Sequence, residues 1–228
     1  MSGTHGIVTG EGNITGVNAT HSIVFGKGNT VNTKQSAAIG LNNQILLTDK
    51  DGNVISNSKT YGTSFIFGSD NISRNMYNTT FGVGCENSGS YSLLAGEKLF
   101  TAASRSGVIG FHSNIQSNAH YSFVAGWGNT TSYSSTIVAG RGLEAGYASQ
   151  AVFGKFNVVD NDALLVIGNG SGSIDNKSGV VTKTSPSNAM VVKNNGDLIV
   201  AGNIKVGNTI LTETKLKKLI EFIDSIED

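Results

Sequence analysis

Few residues of this sequence have the types and spacing that chemistry needs. The segment DKDGN, residues 49–53, sets oxygen-bearing side chains at alternate places, as a calcium loop does. That loop wants a further acidic residue shortly after, and Ile55, Asn57 and Ser58 do not supply it, so a hairpin turn is the expectation. His5, His21, His112 and His120 have no close mutual spacing and no companion carboxylates, which argues against a metal site or a general base. Cys85 is the single cysteine; it follows a glycine bend with no histidine nearby and reads as a buried or idle thiol. GSGS, residues 170–173, lacks the strand–helix setting and the lysine of a phosphate loop and reads as a flexible connection. No nucleophile elbow or zinc motif occurs, and no cofactor is expected.

A different kind of chemistry lies in rings and cations that return at fixed distances from a recurrent glycine. The position after that glycine holds Phe111, Trp127, Arg141 and Lys155 in four successive repeats. Five before it stand Tyr77, Tyr91, Arg105 and Tyr121, and seven before it Tyr133 and Tyr147. Aromatic rings flanked by cations on one edge are a platform for stacking sugar rings. The same ladders can also serve only to hold stacked coils together. The candidate ligand-binding residues are Phe111, Trp127, Arg141 and Tyr121.

The elements that must position these residues follow from the repeat itself. Gly10, Gly26, Gly40, Gly68, Gly82, Gly96, Gly110, Gly126, Gly140, Gly154 and Gly168 close similar phrases, mostly fourteen residues apart, with two intervals of sixteen and one of twenty-eight. Such a period is the mark of a solenoid whose turns each contain short strands and tight bends. Turns stack roughly 4.8 Å apart, so eleven of them make a rod about 50 Å long. The recurrent glycine supplies a backbone angle closed to other residues or room for close approach. Asparagine three places later (Asn13, Asn29, Asn43, Asn71, Asn129, Asn157) suits a left-handed bend and could hydrogen-bond to its copies in neighbouring turns.

The three positions before the glycine are apolar in almost every repeat, as in Phe123, Val124 and Ala125. A strand with one wet face would alternate, so both faces are expected to be covered. One face can line the coil, and no amphipathic helix between repeats is available for the other. Other copies of the chain are the economical cover. At the C-terminus, Leu216, Leu219, Ile223 and Ile226 follow the 3-4-3 spacing of a coiled-coil seam. About four helical turns are too few to be stable alone, but oligomeric coils upstream would hold them together. A single amphipathic helix docked on its own domain is the competing reading.

Bulk composition agrees with an assembly rod. The 228 residues carry 16 Lys plus Arg against 16 Asp plus Glu, and charged residues make up only 14%, so no basic field exists for nucleic acid. Thirty glycines and one proline accompany 38% apolar residues in regular positions, which sets the chain apart from low-complexity disorder. No charged-then-apolar segment opens the chain and no run of eighteen apolar residues crosses it. A soluble chain without membrane insertion is therefore expected.

The phrase Ser-x-Val/Ala-x-Gly on a fourteen-residue period, as in SAAIG and SFVAG, resembles the head domains of trimeric autotransporter adhesins. LLVIGNGSGS followed by NAMVVKNNGDLIVAGNIKVGN is similar to C-terminal regions of bacteriophage tail-fibre and minor structural proteins. These resemblances span residues 6–228. They imply an all-β fold: a left-handed parallel β-roll packed as a homotrimer, then a small β-module and a short coiled coil. The expected divisions are a roll over residues 1–170 with a hairpin insertion at about 44–60, a loop and β-module over 171–211, and a helix over 212–228. Autotransporter adhesins need a signal peptide, a stalk and a membrane barrel; a phage component needs none, which favours the virion. The expected role is non-enzymatic: a tail-fibre or receptor-binding protein that works at the host surface. Its expected partners are a host glycan or protein and other tail or baseplate proteins. The alternatives are a passive trimeric spacer, a fragment of a bacterial surface adhesin, or a polysaccharide depolymerase with an inter-chain site. For the last, Glu97 and Glu144 stand at unlike places in their repeats, and paired carboxylates are not evident within one chain.

Overall fold

The computed structural model describes residues 6–49, 51, 53–55 and 62–227. The chain is all-β apart from one C-terminal helix, and its main body is a parallel β-solenoid of about 11 turns. Each turn contributes a strand to a long sheet, beginning with Ile7–Glu11 and ending with Ala163–Asn169. Two-residue strands, from Ile14–Thr15 to Thr130–Thr131, form a second sheet on the opposite wall. Register in the long sheet brings every recurrent glycine onto the next: Gly10 pairs with Gly26, Gly40 with Gly68 and Gly154 with Gly168.

The apolar triplet separates into two roles. The middle residue, two before the glycine, fills the interior: Val24, Ile66, Leu94, Val108, Val124 and Val138 are fully buried. Val31, Ile45 and Ile115 meet them from the short sheet. Each such side chain contributes roughly 1.5–3 kcal/mol by leaving water. The residues on either side point outward, because successive strand residues face opposite ways. Phe123 and Ile137 are 41% and 48% exposed, and Phe65, Phe67, Phe81 and Ile109 continue the stripe. Among the described residues of one chain nothing covers this outer stripe.

Two polar ladders run through the interior, each hydrogen-bonding from one turn to the next. Asn29, Asn43 and Asn71 each donate their backbone N–H and their Nδ2 to the Oδ1 of the preceding asparagine. Each Nδ2 also donates to the recurrent glycine's carbonyl one turn on, as Asn43 does to Gly68 at 2.8 Å. A left-handed bend at the asparagine is therefore corrected: the positive-φ residue is its predecessor, such as Gly28, Asn42 or Asp70. The second ladder is made by the serine of the repeat. Ser36 N–H donates to Ser22 Oγ, Ser64 N–H to Ser36 Oγ, and Ser106 N–H to Ser92 Oγ. Buried backbone donors left over at the bend thereby find acceptors, as burial requires.

The recurrent glycine is demanded twice over. At Gly96 φ is +146°, and a Cβ there would stand 1.9 Å from the Gly110 carbonyl oxygen. No side chain can occupy that space. At residues 48–54 the hairpin reading agrees with what is described: Thr48 and Val54 form an antiparallel bridge, and Asp49 Oδ1 accepts the N–H groups of Asp51 and Asn53. Lys50, Gly52 and residues 56–61 lie outside the described residues.

The segment after the roll departs from expectation. GSGS is not a flexible connection. Ser171–Ile174 pairs antiparallel with Val181–Ser185 to make an arm that folds back along the roll. The strand Asn188–Lys193 then closes the end of the long sheet, antiparallel to Ala163–Asn169, and turns at Gly196 into Leu198–Val200. A second hairpin, Ile204–Val206 with Thr209–Leu211, precedes the helix Glu213–Glu227. Thr212 caps that helix, its Oγ1 accepting the Lys215 N–H. The seam residues Leu216, Leu219, Ile223 and Ile226 are exposed (Ile226 at 65%), so the helix is not docked on the chain's own roll.

Candidate functional site: two side-chain ladders on the coil corners

Most described turns change direction at two corners where the backbone has positive φ, and the candidate residues lie at or beside these corners. The first lies two residues after the recurrent glycine; the second lies five before it. Left-handed backbone costs a residue with a Cβ roughly 1–2 kcal/mol, and only glycine and asparagine adopt it readily.

Beside the after-glycine corner, register places Phe111, Trp127, Arg141 and Lys155 on successive strands. Their faces are largely taken up within the chain. The Arg141 guanidinium lies 4.5 Å from the centre of the Trp127 ring, Lys98 Nζ lies 5.7 Å from that of Phe111, and Phe111 is tilted against Trp127 at 6.0 Å. Trp127 Nε1 is buried without a hydrogen-bond partner. The arm lies along this corner. Ile174 and Val181 approach Gly128, where a Cβ would come within 2.7 Å of Ile174 Cδ1, and Asn176 O is 3.0 Å from His112 Nε2. Asp175 closes the arm's tip by accepting from the Lys177 and Ser178 N–H groups and from the Ser178 hydroxyl. The backbone N–H of Ser178 chiefly holds its carboxyl below the usual range.

Tyr121 does not join that group. It stands on the before-glycine corner with Tyr77, Tyr91 and Arg105, all at positive φ. Tyr77 and Tyr91 stack at 4.7 Å with their planes 16° apart. Arg105 sits between two rings, 5.5 Å from Tyr91 and 5.6 Å from Tyr121. These tyrosines are open to solvent, Tyr91 at 55% and Tyr121 at 62%. An open cleft of about 500 Å³ borders Tyr77, Tyr91 and Arg105, with Thr79, Leu93 and Ser106 on its margin. The sequence marked the Tyr–Tyr–Arg–Tyr ladder by spacing alone; its openness and the crowding of the Trp127 ladder depend on the arm, whose path the sequence does not mark.

The other candidates take structural places. Cys85 occupies an asparagine position of the interior ladder, donating its N–H to Asn71 Oδ1, and burial pushes its thiol pKa up. His120 Nδ1 accepts the Ser104 N–H at 3.0 Å. His5 lies outside the described residues. Glu97 pairs with Lys98 at 3.6 Å, and Glu144 approaches Lys183 at 3.9 Å. Among the described residues no group of three or more His, Cys, Asp or Glu is placed to hold a metal, and no helix is long and apolar enough to cross a membrane. Comparison with protein-family models and with curated proteins finds no match for this chain.

Proposed function

We propose that this chain is a non-enzymatic phage tail-fibre or receptor-binding component that acts as a homotrimer and adheres to a glycan on the host surface. In this reading three left-handed rolls of fourteen-residue turns pack along their axes, and the helices join as a coiled coil. The observation that carries it is the uncovered apolar stripe of the long sheet, together with the uncovered helix seam. A stripe with Phe65, Phe123 and Ile137 each about 40–48% exposed is the kind of surface that marks association rather than a free face. Leu219 and Ile223 present a second such surface at the far end of the chain. One partner arrangement, three copies side by side, covers both. Rigid corners presented three times would then turn weak individual contacts into firm attachment.

A passive spacer is favoured by one specific observation: Arg141 and Lys98 already occupy the ring faces of Trp127 and Phe111. A glycan array separates the readings. Adhesion predicts retention of the chain on a subset of host-type glycans. Retention on none contradicts adhesion and leaves the spacer, whereas shortening of a host polysaccharide by the purified chain argues for an enzyme.

A further inference from the structure

The before-glycine corner sets three tyrosines and an arginine on four successive rungs. We propose that the Tyr77–Tyr91–Arg105–Tyr121 ladder binds carboxylate-bearing sugars of an acidic polysaccharide. This rests on the glycan reading above and assigns its contact to the corner that the arm leaves open.

The first argument is conformational. The corner requires positive φ, which glycine or asparagine would supply at least cost. Four neighbouring rungs instead carry three tyrosines and an arginine, at φ of 61°, 58°, 56° and 60°. Bulky residues in this backbone region are uncommon, and a run of four on successive rungs points to a use for their side chains.

The second argument is charge. Among the described residues no carboxylate is paired with Arg105. Residues 75–79, 89–93, 103–107 and 117–123, which form these rungs, include no Asp or Glu. A guanidinium between two rings presents a planar fork, and a carboxylate accepts two parallel hydrogen bonds from such a fork.

The third argument is shape. Rungs one strand spacing apart, ~4.8 Å, let the four residues extend ~14 Å along the rod. The open cleft beside Tyr77, Tyr91 and Arg105 follows the same direction. Ring faces in the ladder are shared with one another and with Arg105, so the exposed ring edges and hydroxyls are what meet a sugar's hydroxyls. One cation on four rungs suits a polymer that carries a charge on occasional units. A nucleic acid, charged at every unit, would call for a run of cations that the corner lacks.

The test uses the full chain in affinity electrophoresis and calorimetry against hyaluronate, deacylated gellan and xanthan, which carry carboxylates on only some of their sugars, with dextran and the methyl ester of hyaluronate as uncharged controls. At least one acidic polymer is expected to bind, with both controls weaker by about tenfold or more. Arg105→Asn, which suits the backbone, should lose a similar factor on that polymer while its circular dichroism stays unchanged. Arg105→Lys should fall between the two. Equal binding of acidic and uncharged polymers, or an unchanged affinity in Arg105→Asn, overturns the assignment and leaves the glycan reading intact. Retention of none of the five polymers overturns the assignment too; the array then decides separately whether any glycan is bound.

Discussion

The two corners of each turn place the same demand on the backbone and are occupied very differently. After the recurrent glycine, positive φ is held by Gly12, Gly28, Asn42, Asp70, Gly84, Gly128 and Gly142, with Lys98, His112 and Phe156 as larger exceptions. Five residues before it, the same sign of φ is held by His21, Gln35, Tyr77, Tyr91, Arg105, Tyr121, Ser135 and Ser149, with no glycine or asparagine among them. The arm explains part of this contrast. At Gly128 a Cβ would press on Ile174 of the arm, whereas the larger Lys98 and His112 meet the arm at the Lys177 and Asn176 carbonyls. Among the described residues no arm lies over the other corner at Tyr77, Tyr91, Arg105 and Tyr121, which keep long side chains despite the backbone cost. Shared geometry therefore does not dictate shared composition.

Substitutions can break or sharpen that comparison. The largest effect belongs to the glycine that separates the corners. Gly96→Ala, with its Cβ driven against the Gly110 carbonyl, should cost on the order of 4 kcal/mol or more in chemical denaturation, or abolish folding. Next is the interior ladder. Asn43→Ala removes the acceptor for Asn71 and the donor to Gly68, stranding buried groups at a cost of about 3 kcal/mol. At the covered corner, Gly128→Ala should cost roughly 1–3 kcal/mol and speed proteolysis within the arm, because Ile174 must move. At the open corner the sign reverses: Ser135→Asn, free of any such contact, should raise stability by up to about 1 kcal/mol. A loss there would show that the open corner is also packed.

The smallest effect is one of pH. The Asp175 carboxyl is held below its ordinary value in the folded arm, so its stabilising contribution is complete above the unfolded value of about 4 and is lost as pH falls through the folded one. Fluorescence of Trp127, the single tryptophan, should change in that acidic window as the arm loosens, before the circular dichroism of the roll is lost. A tryptophan signal that moves only together with the roll contradicts this.

Much of the roll was legible because period and burial are written in the same residues. The glycines give the register directly, and Val124 between Phe123 and Ala125 shows why three apolar neighbours are compatible with one strand having two apolar faces. The asparagine ladder was legible as stacking, but not the placement of the bend one residue earlier, because asparagine suits both roles. The arm was missed. Its strand Ser171–Ile174 has no apolar alternation, and its fit depends on Gly172 lying where a Cβ would meet Phe156 and the Thr182 carbonyl oxygen, contacts that link distant parts of the chain. The candidate ladders were legible by spacing, whereas their accessibility was not.

The outward stripe asks most directly what covers it. Light scattering coupled to size exclusion at micromolar concentration measures the answer. The account predicts one species of about three times the 23.7 kDa chain mass, with Phe123→Asp lowering it toward that of a single chain. A well-folded wild-type chain that elutes at 23.7 kDa would contradict it.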